Sequence, residues 1–306
     1  MARHSVPKTV LSAKRVAALR PALEALLCDR DDDDRLAADP LQAPHRYDRP
    51  EDQEIAAIFA ATLAYGRVSL FLPVIQRILA LADARGGPRA WVEGFSDEDA
   101  AAIDPVFYRW SRGSDLALLA LTLQGALRTW PTIGALFAGN VKKSHPDISA
   151  GLARSIDALR REAEAAADVP FGTMSRGFKT MLSSPAAGSA CKRWNMLLRW
   201  MARDGYPDLG LWDIPASKLI LPLDTHTLQI SRMLGLTRRS DGSWRTAAEI
   251  TRNLRRIDPM DPVRFDFALA HLGISGECQK ARVPDICDRC PMVGVCRVGA
   301  PPELSR

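Results

Sequence analysis

Four cysteines near the end of the chain have the type and spacing of a metal site. Cys278, Cys287, Cys290 and Cys296 are separated by eight, two and five residues, whereas Cys28 and Cys191 stand alone. Four thiolates can bind one tetrahedral zinc ion or an iron-sulfur cluster. Zinc sites usually use two close pairs of ligands, and this run contains one close pair flanked by single cysteines. The pattern therefore favours a 4Fe-4S cluster over zinc, which remains the alternative.

A second candidate for chemistry is Asp224. It follows Pro222 and Leu223, and apolar residues at helical spacing come after it. These neighbours predict that Asp224 is the N-cap of a helix, where free backbone N–H groups and the helix dipole keep a carboxylate ionised. An ionised carboxylate can stabilise positive charge that develops on a substrate. The alternative is that Asp224 only caps its helix.

The cysteine run and the Asp-led helix together resemble the endonuclease III branch of the helix-hairpin-helix DNA glycosylases. Residues 221–226 read Leu-Pro-Leu-Asp-Thr-His and residues 232–236 read Arg-Met-Leu-Gly-Leu, which is similar to that family's segment V-D-T-H-V…R…R-L-G. Residues 55–67 resemble its early helix more weakly. The resemblance extends over much of the chain from Glu54 and is closest to an uncharacterised bacterial branch. It implies an all-α, two-lobed fold with a six-helix barrel lobe and an iron-sulfur cluster lobe.

The resemblance also implies a function, which is base-excision repair of DNA. The family members are DNA glycosylases, and the bifunctional ones are also abasic-site (AP) lyases in which a lysine amine attacks C1′ and forms a Schiff base. Asp224 is then the catalytic carboxylate, and a damaged base, oxidised bases included, is the substrate.

The lysine nucleophile is harder to assign, because the family's G-x-G hairpin motif is missing. Lys192 precedes Asp224 by 32 residues, a spacing that resembles the archaeal 8-oxoguanine glycosylases, and we assign the nucleophile to it. Lys218 is the competing nucleophile or a phosphate ligand. The missing motif also keeps a second function open, that of a catalytically silent iron-sulfur DNA-binding protein.

Six further residues are expected to contact DNA by the same resemblance. Two of them follow the early helix, where the family inserts a wedge beside a flipped base, although the tyrosine could instead be a half-buried core residue. The other four lie near the catalytic pair in sequence and offer donors to phosphate. These residues are Tyr65, Arg67, Arg193, Lys218, His226 and Arg232.

The elements that must position these residues are predicted to be helices. Apolar residues recur at helical spacing in eight stretches, and no succession of alternating strands is found. The stretches are Val16 to Leu27, Glu54 to Leu81, Asp115 to Phe137, Ile148 to Ala167, Ala190 to Met201, Thr225 to Leu236, Thr246 to Ile257 and Pro262 to Leu272. The expected domains are N-terminal helices that pack on the cluster lobe (1–50), a helical barrel lobe (51–223) and the cluster lobe (224–306).

Charge and composition agree with a nucleic-acid partner. The 306 residues contain 41 Lys+Arg and 36 Asp+Glu, and residues 231–306 alone contain 13 against 9, a difference of +4. Arginine dominates, and its planar donors suit phosphate, although solvated faces of an arginine-rich protein are the alternative. No signal-peptide core and no run of about 18 apolar residues is found. These two absences predict that the chain does not insert into a membrane. The resemblance implies a monomer that acts on double-stranded DNA with a damaged base or abasic site, in the bacterial cytoplasm near the nucleoid.

Overall fold

The computed structural model describes residues 9–28, 32–274, 276 and 278–299. In these residues almost all regular structure is helical, which confirms the predicted predominantly α-helical chain. The elements are α1 (Ala13–Cys28), α2 (Asp32–Ala37), α3 (Pro50–Leu63), α4 (Val68–Asp83), α5 (Pro88–Glu93), α6 (Asp97–Ile103), β1 (Phe107–Tyr108), β2 (Ser111–Arg112), α7 (Gly113–Thr129), α8 (Ile133–Asn140), α9 (Ser149–Ala167), α10 (Arg176–Met181), α11 (Lys192–Ala202), α12 (Thr225–Met233), α13 (Trp244–Arg255), α14 (Asp266–Ile274) and α15 (Pro284–Cys287).

The chain forms two compact units that interleave in sequence. The cysteine unit contains the described residues up to Asp32, then Gly188–Asn195, and those from Ala216 onward. The hairpin unit contains Asp33–Ala187 and Met196–Pro215, and β1 and β2 lie in it. The domain borders predicted after residues 50 and 223 stay predictions.

Two of the predicted helices of the hairpin unit are interrupted. The stretch from Glu54 to Leu81 forms α3 and α4, because the chain leaves the helix at Ala64 and Gly66 adopts φ 88°. This backbone conformation is natural for glycine and ends the helical hydrogen bonding. The stretch from Asp115 to Phe137 likewise divides into α7 and α8 at Pro131, which cannot donate a helical N–H.

A buried carboxylate organises the core of the hairpin unit. Glu54 lies on α3 and accepts hydrogen bonds from the backbone N–H groups of Ile133 (2.9 Å) and Gly134 (2.7 Å), at the start of α8, and from the Trp212 indole (2.8 Å). These donors satisfy the oxygens that burial removes from water. Burial still raises the pKa of Glu54, against the opposing effect of its hydrogen bonds.

One buried side chain on α13 connects several segments of the cysteine unit. The buried Asn253 on this helix accepts from Leu11 N–H (3.1 Å) and donates to the carbonyls of Thr9 (3.0 Å) and Leu236 (2.8 Å). Three chain segments distant in sequence are thereby joined at one side chain.

No helix of the described residues is both long enough and apolar enough to cross a bilayer.

Candidate functional site

Lys192 and Asp224 meet in the cysteine unit. The Nζ atom of Lys192 lies 3.3 Å from Oδ2 of Asp224, and the two side chains are 34% and 20% exposed. Lys192 is the first residue of α11, and Asp224 immediately precedes α12. An amine and a carboxylate thus lie side by side at the starts of two helices, within reach of solvent.

Both residues are held in place through α13. The segment before α11 is fixed because Trp244 N–H donates to the Gly188 carbonyl (3.0 Å) and Ser189 pairs with Ser243. The segment before Asp224 is fixed because Leu221 N–H donates to the hydroxyl of Thr251 on α13 (2.9 Å). The same helix therefore positions the amine and the carboxylate.

Asp224 is the N-cap that the sequence predicts. Its side chain accepts a hydrogen bond from Thr227 N–H (2.9 Å) in the first turn of α12. Burial by itself would raise the pKa of Asp224, but the charge of Lys192 and the hydrogen bond from Thr227 outweigh it and lower the pKa below its ordinary value. The carboxylate is therefore ionised at neutral pH.

A basic pocket lies near the other end of α12. Four cationic side chains line it, and three of them are exposed; its wall also contains Gln229, Met233, Thr237 and Val298. The cationic residues are Arg232, Arg238, Lys280 and Arg297. None of these four forms an ion pair with another residue of the described ranges. Lys280 Nζ instead lies 2.8 Å from Nδ1 of His226, which is in the first turn of α12. This pocket is suited to an anion.

The four cysteines of the run line a single pocket. Mostly apolar residues of α12, α14 and the cysteine loop (residues 278–299) form the rest of its wall, among them Ile230, Leu272 and Ile286. All four are free thiols. Backbone N–H groups point at two sulfurs, since Gly299 donates to Cys296 Sγ (3.1 Å) and Val283 donates to Cys287 Sγ (3.5 Å).

Glycine at position 299 leaves space beside these sulfurs. A Cβ atom there would lie 3.3 Å from Cys296 Sγ and 3.5 Å from Cys287 Sγ. Burial raises the pKa of the Cys290 thiol, and the other three thiols raise it further despite a hydrogen bond from Met292 N–H. Cys290 therefore lies close enough to the other three thiols to be influenced by their charge.

The lining of the cysteine pocket suits a group that is bound by thiolates. Its wall is largely apolar, and two of the sulfurs accept N–H···S hydrogen bonds. Apolar surroundings and such hydrogen bonds are the means by which proteins tune thiolate-bound metal centres. In the described part of the chain no group of three or more His, Cys, Asp or Glu side chains lies close enough together to hold a single metal ion.

Helix α1 contacts the cysteine loop through Arg15. Its guanidinium donates to the carbonyl of Leu234 (2.8 Å), at the end of α12, and to the carbonyl of Val295, next to Cys296. The backbone N–H of Arg297 also donates to Met233 O (2.9 Å). The cysteine loop is thus joined to the end of the helix that Asp224 caps.

The other sequence-predicted residues lie in different places. Arg193 follows Lys192 on α11 and is partly buried, and Lys218 ends the short 3-10 helix Ala216–Lys218. Tyr65 and Arg67 belong to the hairpin unit, between α3 and α4. Tyr65 is partly buried and stacks on Trp110, while Arg67 is exposed.

Sequence reasoning missed three residues of the basic pocket, which are Arg238, Lys280 and Arg297. The excess of positive charge in the last quarter of the chain indicates a basic surface there, but it does not identify these three residues. Lys280 could have been suspected because it follows Cys278 by two residues, and a cysteine loop must fold back on itself to bring its thiols together.

Comparison with known proteins identifies one family and corrects one prediction. The family described as "Protein of unknown function (DUF2400)" matches residues 39–275, a range that contains Lys192 and Asp224 and ends before Cys278. No curated protein and no solved structure matches the chain. The predicted membership of the helix-hairpin-helix glycosylase superfamily, in its endonuclease III branch, is therefore wrong. The short matches behind it are ones that a capped helix and a thiol cluster can satisfy in unrelated chains. The chain belongs to the DUF2400 family.

Proposed function

We propose that this protein acts on DNA at damaged or abasic nucleotides, as a DNA glycosylase with abasic-site lyase activity. The observation that carries the proposal is the 3.3 Å contact between Lys192 Nζ and Asp224 Oδ2 at the surface of the cysteine unit. A primary amine beside an ionised carboxylate can form and break a Schiff base with a sugar aldehyde.

Lys192 supplies the nucleophile in this proposal. Its ammonium group first gives a proton to water, and the free amine then attacks C1′. At a damaged nucleotide the C1′–N bond breaks and the base leaves with the bonding electrons. At an abasic site the aldehyde oxygen leaves as water. After base loss, the C1′–O4′ bond of the sugar ring also breaks and O4′ takes up a proton, so that both routes give an iminium ion. Loss of the C2′ proton then expels the 3′ phosphate.

Asp224 has two tasks. Its negative charge stabilises the positive charge that develops at C1′ and on the iminium nitrogen. Its oxygens also hold the Lys192 side chain in position, since Oδ2 lies 3.3 Å from Nζ. The lowered pKa of Asp224 keeps the carboxylate ionised before the substrate arrives, so its charge is available when bond breaking begins.

The basic pocket is the proposed contact for the DNA backbone. Arg232, Arg238, Lys280 and Arg297 line it, and arginine binds phosphate oxygens through two parallel donors. His226 contacts Lys280 and lies two residues after Asp224, so the pocket and the catalytic pair are connected along α12. Phosphate contacts in the basic pocket would position the DNA strand relative to Lys192 and Asp224 without reading its base sequence.

The four cysteines are proposed to hold a 4Fe-4S cluster. When bound, the cluster would cross-link the cysteine loop through four iron–sulfur bonds, which fixes the position of Lys280 and Arg297 in that loop. The same proposal includes a division of the fold into a six-helix barrel lobe and a cluster lobe. It also includes that the protein acts on double-stranded DNA as a monomer and is located with the bacterial chromosome.

A second function is favoured by one observation. Asp224 already has structural partners, since it caps α12 and forms an ion pair with Lys192. Both contacts would exist in a protein that binds DNA through its basic pocket and catalyses nothing. This alternative is a catalytically silent iron-sulfur DNA-binding protein.

A panel of lesion-containing duplexes distinguishes the two functions. The panel should include an abasic site, oxidised and alkylated bases, uracil and mismatches, and the products should be resolved as released base and as cleaved strand. We expect strand cleavage at the abasic site and release of at least one damaged base. Duplex binding without either product on any member of the panel would establish the silent alternative.

A further inference from the structure

A small hairpin in the other unit presents exposed aromatic residues. Strands β1 and β2 pair antiparallel, with Phe107 opposite Arg112 and Tyr108 opposite Ser111. Tyr108 and Ser111 are buried, whereas Phe107 is 65% exposed. The turn between the strands consists of Arg109, with φ 55°, and Trp110, which is 42% exposed. Within the four residues 107–110, two large aromatic side chains, Phe107 and Trp110, therefore face solvent.

The ring of Trp110 is held firmly in spite of its exposure. It stacks on Tyr65 with 4.5 Å between the ring centroids and an angle of 12° between the planes. The Tyr65 hydroxyl donates to the Tyr108 carbonyl (2.9 Å), and the Tyr108 hydroxyl donates to the Tyr65 carbonyl. A Cβ at Gly66 would lie 2.6 Å from both Tyr108 and Arg109, so the two segments approach as closely as glycine permits. Tyr65 is thus a support for Trp110.

Three arginines lie in the hairpin or in the segment that supports it. The guanidinium of Arg109 lies 5.3 Å from the centre of the Trp110 ring, and Arg67 and Arg112 are exposed. Asp104 is the nearest exposed carboxylate along the chain before the hairpin. Exposed aromatic surface is costly in water and commonly marks a binding site. Rings combined with arginines match a ligand that has flat apolar faces and negative charge.

We propose that this hairpin binds an unpaired nucleobase of single-stranded nucleic acid. Trp110 and Phe107 provide the stacking surfaces, and Arg67, Arg109 and Arg112 contact the adjoining phosphates. Base stacking on aromatic side chains together with cationic contacts to the backbone is the general chemistry of single-strand binding. The site lies in the hairpin unit and uses neither Lys192 nor Asp224, so it stands independently of the proposed lyase activity.

The test is a binding measurement with the whole protein. The probe is a fluorescently labelled oligothymidylate of about 12 nucleotides, which is within the range of single-strand site sizes. The substitutions Trp110→Ala and Phe107→Ala should each weaken oligothymidylate binding by about 5-fold to 100-fold, which corresponds to one lost stacking contact. Trp110→Phe should retain most of the affinity. Val169→Ala removes another exposed apolar side chain of the same unit and should leave binding unchanged.

A second probe separates bases from phosphates. An abasic oligomer of the same length retains the phosphates, so it should bind the wild type more weakly and should not distinguish Trp110→Ala from the wild type. Phe107→Ala removes a side chain that is largely exposed, so we expect this variant to fold as the wild type does. Circular dichroism checks this. Equal binding of thymidylate and abasic probes, or wild-type affinity in both alanine variants, would overturn the proposal and leave the hairpin as a protein-docking surface.

Failure of this test is distinguishable from failure of the lyase proposal. Lys192→Ala should bind oligothymidylate as the wild type does. Conversely, Phe107→Ala should still form any covalent adduct that Lys192 forms with an abasic duplex at saturating DNA.

Discussion

The amine of Lys192 lies 3.3 Å from a carboxylate oxygen of Asp224 across 32 residues of sequence. Both residues stand at helix starts that α13 holds in place, through Ser243 and Trp244 on one side and Thr251 on the other. Their contact is therefore a product of tertiary structure and does not follow from local sequence. It has consequences for stability, pH dependence and chemistry that can be measured separately.

The charge of Asp224 should stabilise the fold in a pH-dependent way. Its pKa is lowered in the folded protein, so the stabilising contribution is fully present above the ordinary pKa near 3.8 and is lost as pH falls through the folded value. Asp224→Asn keeps an N-cap acceptor but removes the charge. At pH 7 it should cost less than about 1 kcal/mol, because Lys192 remains 34% exposed.

Urea unfolding of wild type and Asp224→Asn at several pH values tests this. The stability difference should shrink as pH drops below about 4. Asp213→Asn changes an exposed aspartate and should be neutral throughout. A difference that grows with acidification would show that the ion pair does not stabilise the folded state.

Asn253 should be essential to the stability of the cysteine unit. Asn253→Ala leaves Leu11 N–H and the carbonyls of Thr9 and Leu236 without their partner. Each buried group left unpaired costs about 1–3 kcal/mol, so a loss of at least about 2 kcal/mol in the free energy of unfolding is expected. Arg252→Ala, an exposed change on the same helix, should stay within about 0.5 kcal/mol. Chemical denaturation gives both values, and a neutral Asn253→Ala would disprove this role.

The cysteine pocket should contain iron and inorganic sulfide. Anaerobically purified protein is expected to be yellow-brown with broad visible absorbance. Cys290→Ser should lose this colour, because serine replaces one of four thiolates, while Cys28→Ser, which removes a cysteine outside the run, should keep it. A colourless protein that contains one zinc ion would contradict the cluster and support the tetrahedral alternative.

The basic pocket should contribute to the salt dependence of duplex binding. Removing one phosphate contact reduces the slope of log affinity against log salt concentration by about 1. Arg238→Ala should show this reduction for damaged and undamaged duplexes alike. Arg245→Ala removes an exposed arginine of α13 that lies outside the pocket lining and should leave the slope unchanged. Equal slopes in the wild type and Arg238→Ala would exclude this pocket from the DNA interface.

Much of the fold could be predicted from periodicity, and its interruptions could not. Helical spacing continues through Tyr65 and Gly66, so nothing in the apolar pattern marks the turn that separates α3 from α4. The hairpin of Phe107 to Arg112 was missed because strands of two residues are too short to show alternation. Asp224 was correctly predicted as an N-cap because capping is a local property of the chain.

In the candidate site, too, local features could be predicted from the sequence and features that depend on the folded chain could not. The cysteines are close in sequence, and their convergence on one pocket follows from that closeness. The basic pocket draws residues from α12, from the turn after it and from both ends of the cysteine loop, so only the folded chain assembles it. The family resemblance was wrong because it relied on short motifs, which carry local geometry without the fold around them.

Trapping with sodium borohydride tests the central claim most directly. Borohydride reduces a Schiff base to a stable amine, so wild-type protein incubated with an abasic duplex should become covalently attached to DNA. Lys192→Ala should form no adduct and Lys218→Ala should form it normally, while Asp224→Asn should form it more slowly. An adduct that persists in Lys192→Ala, or no adduct with wild-type protein that binds the duplex, would contradict the account.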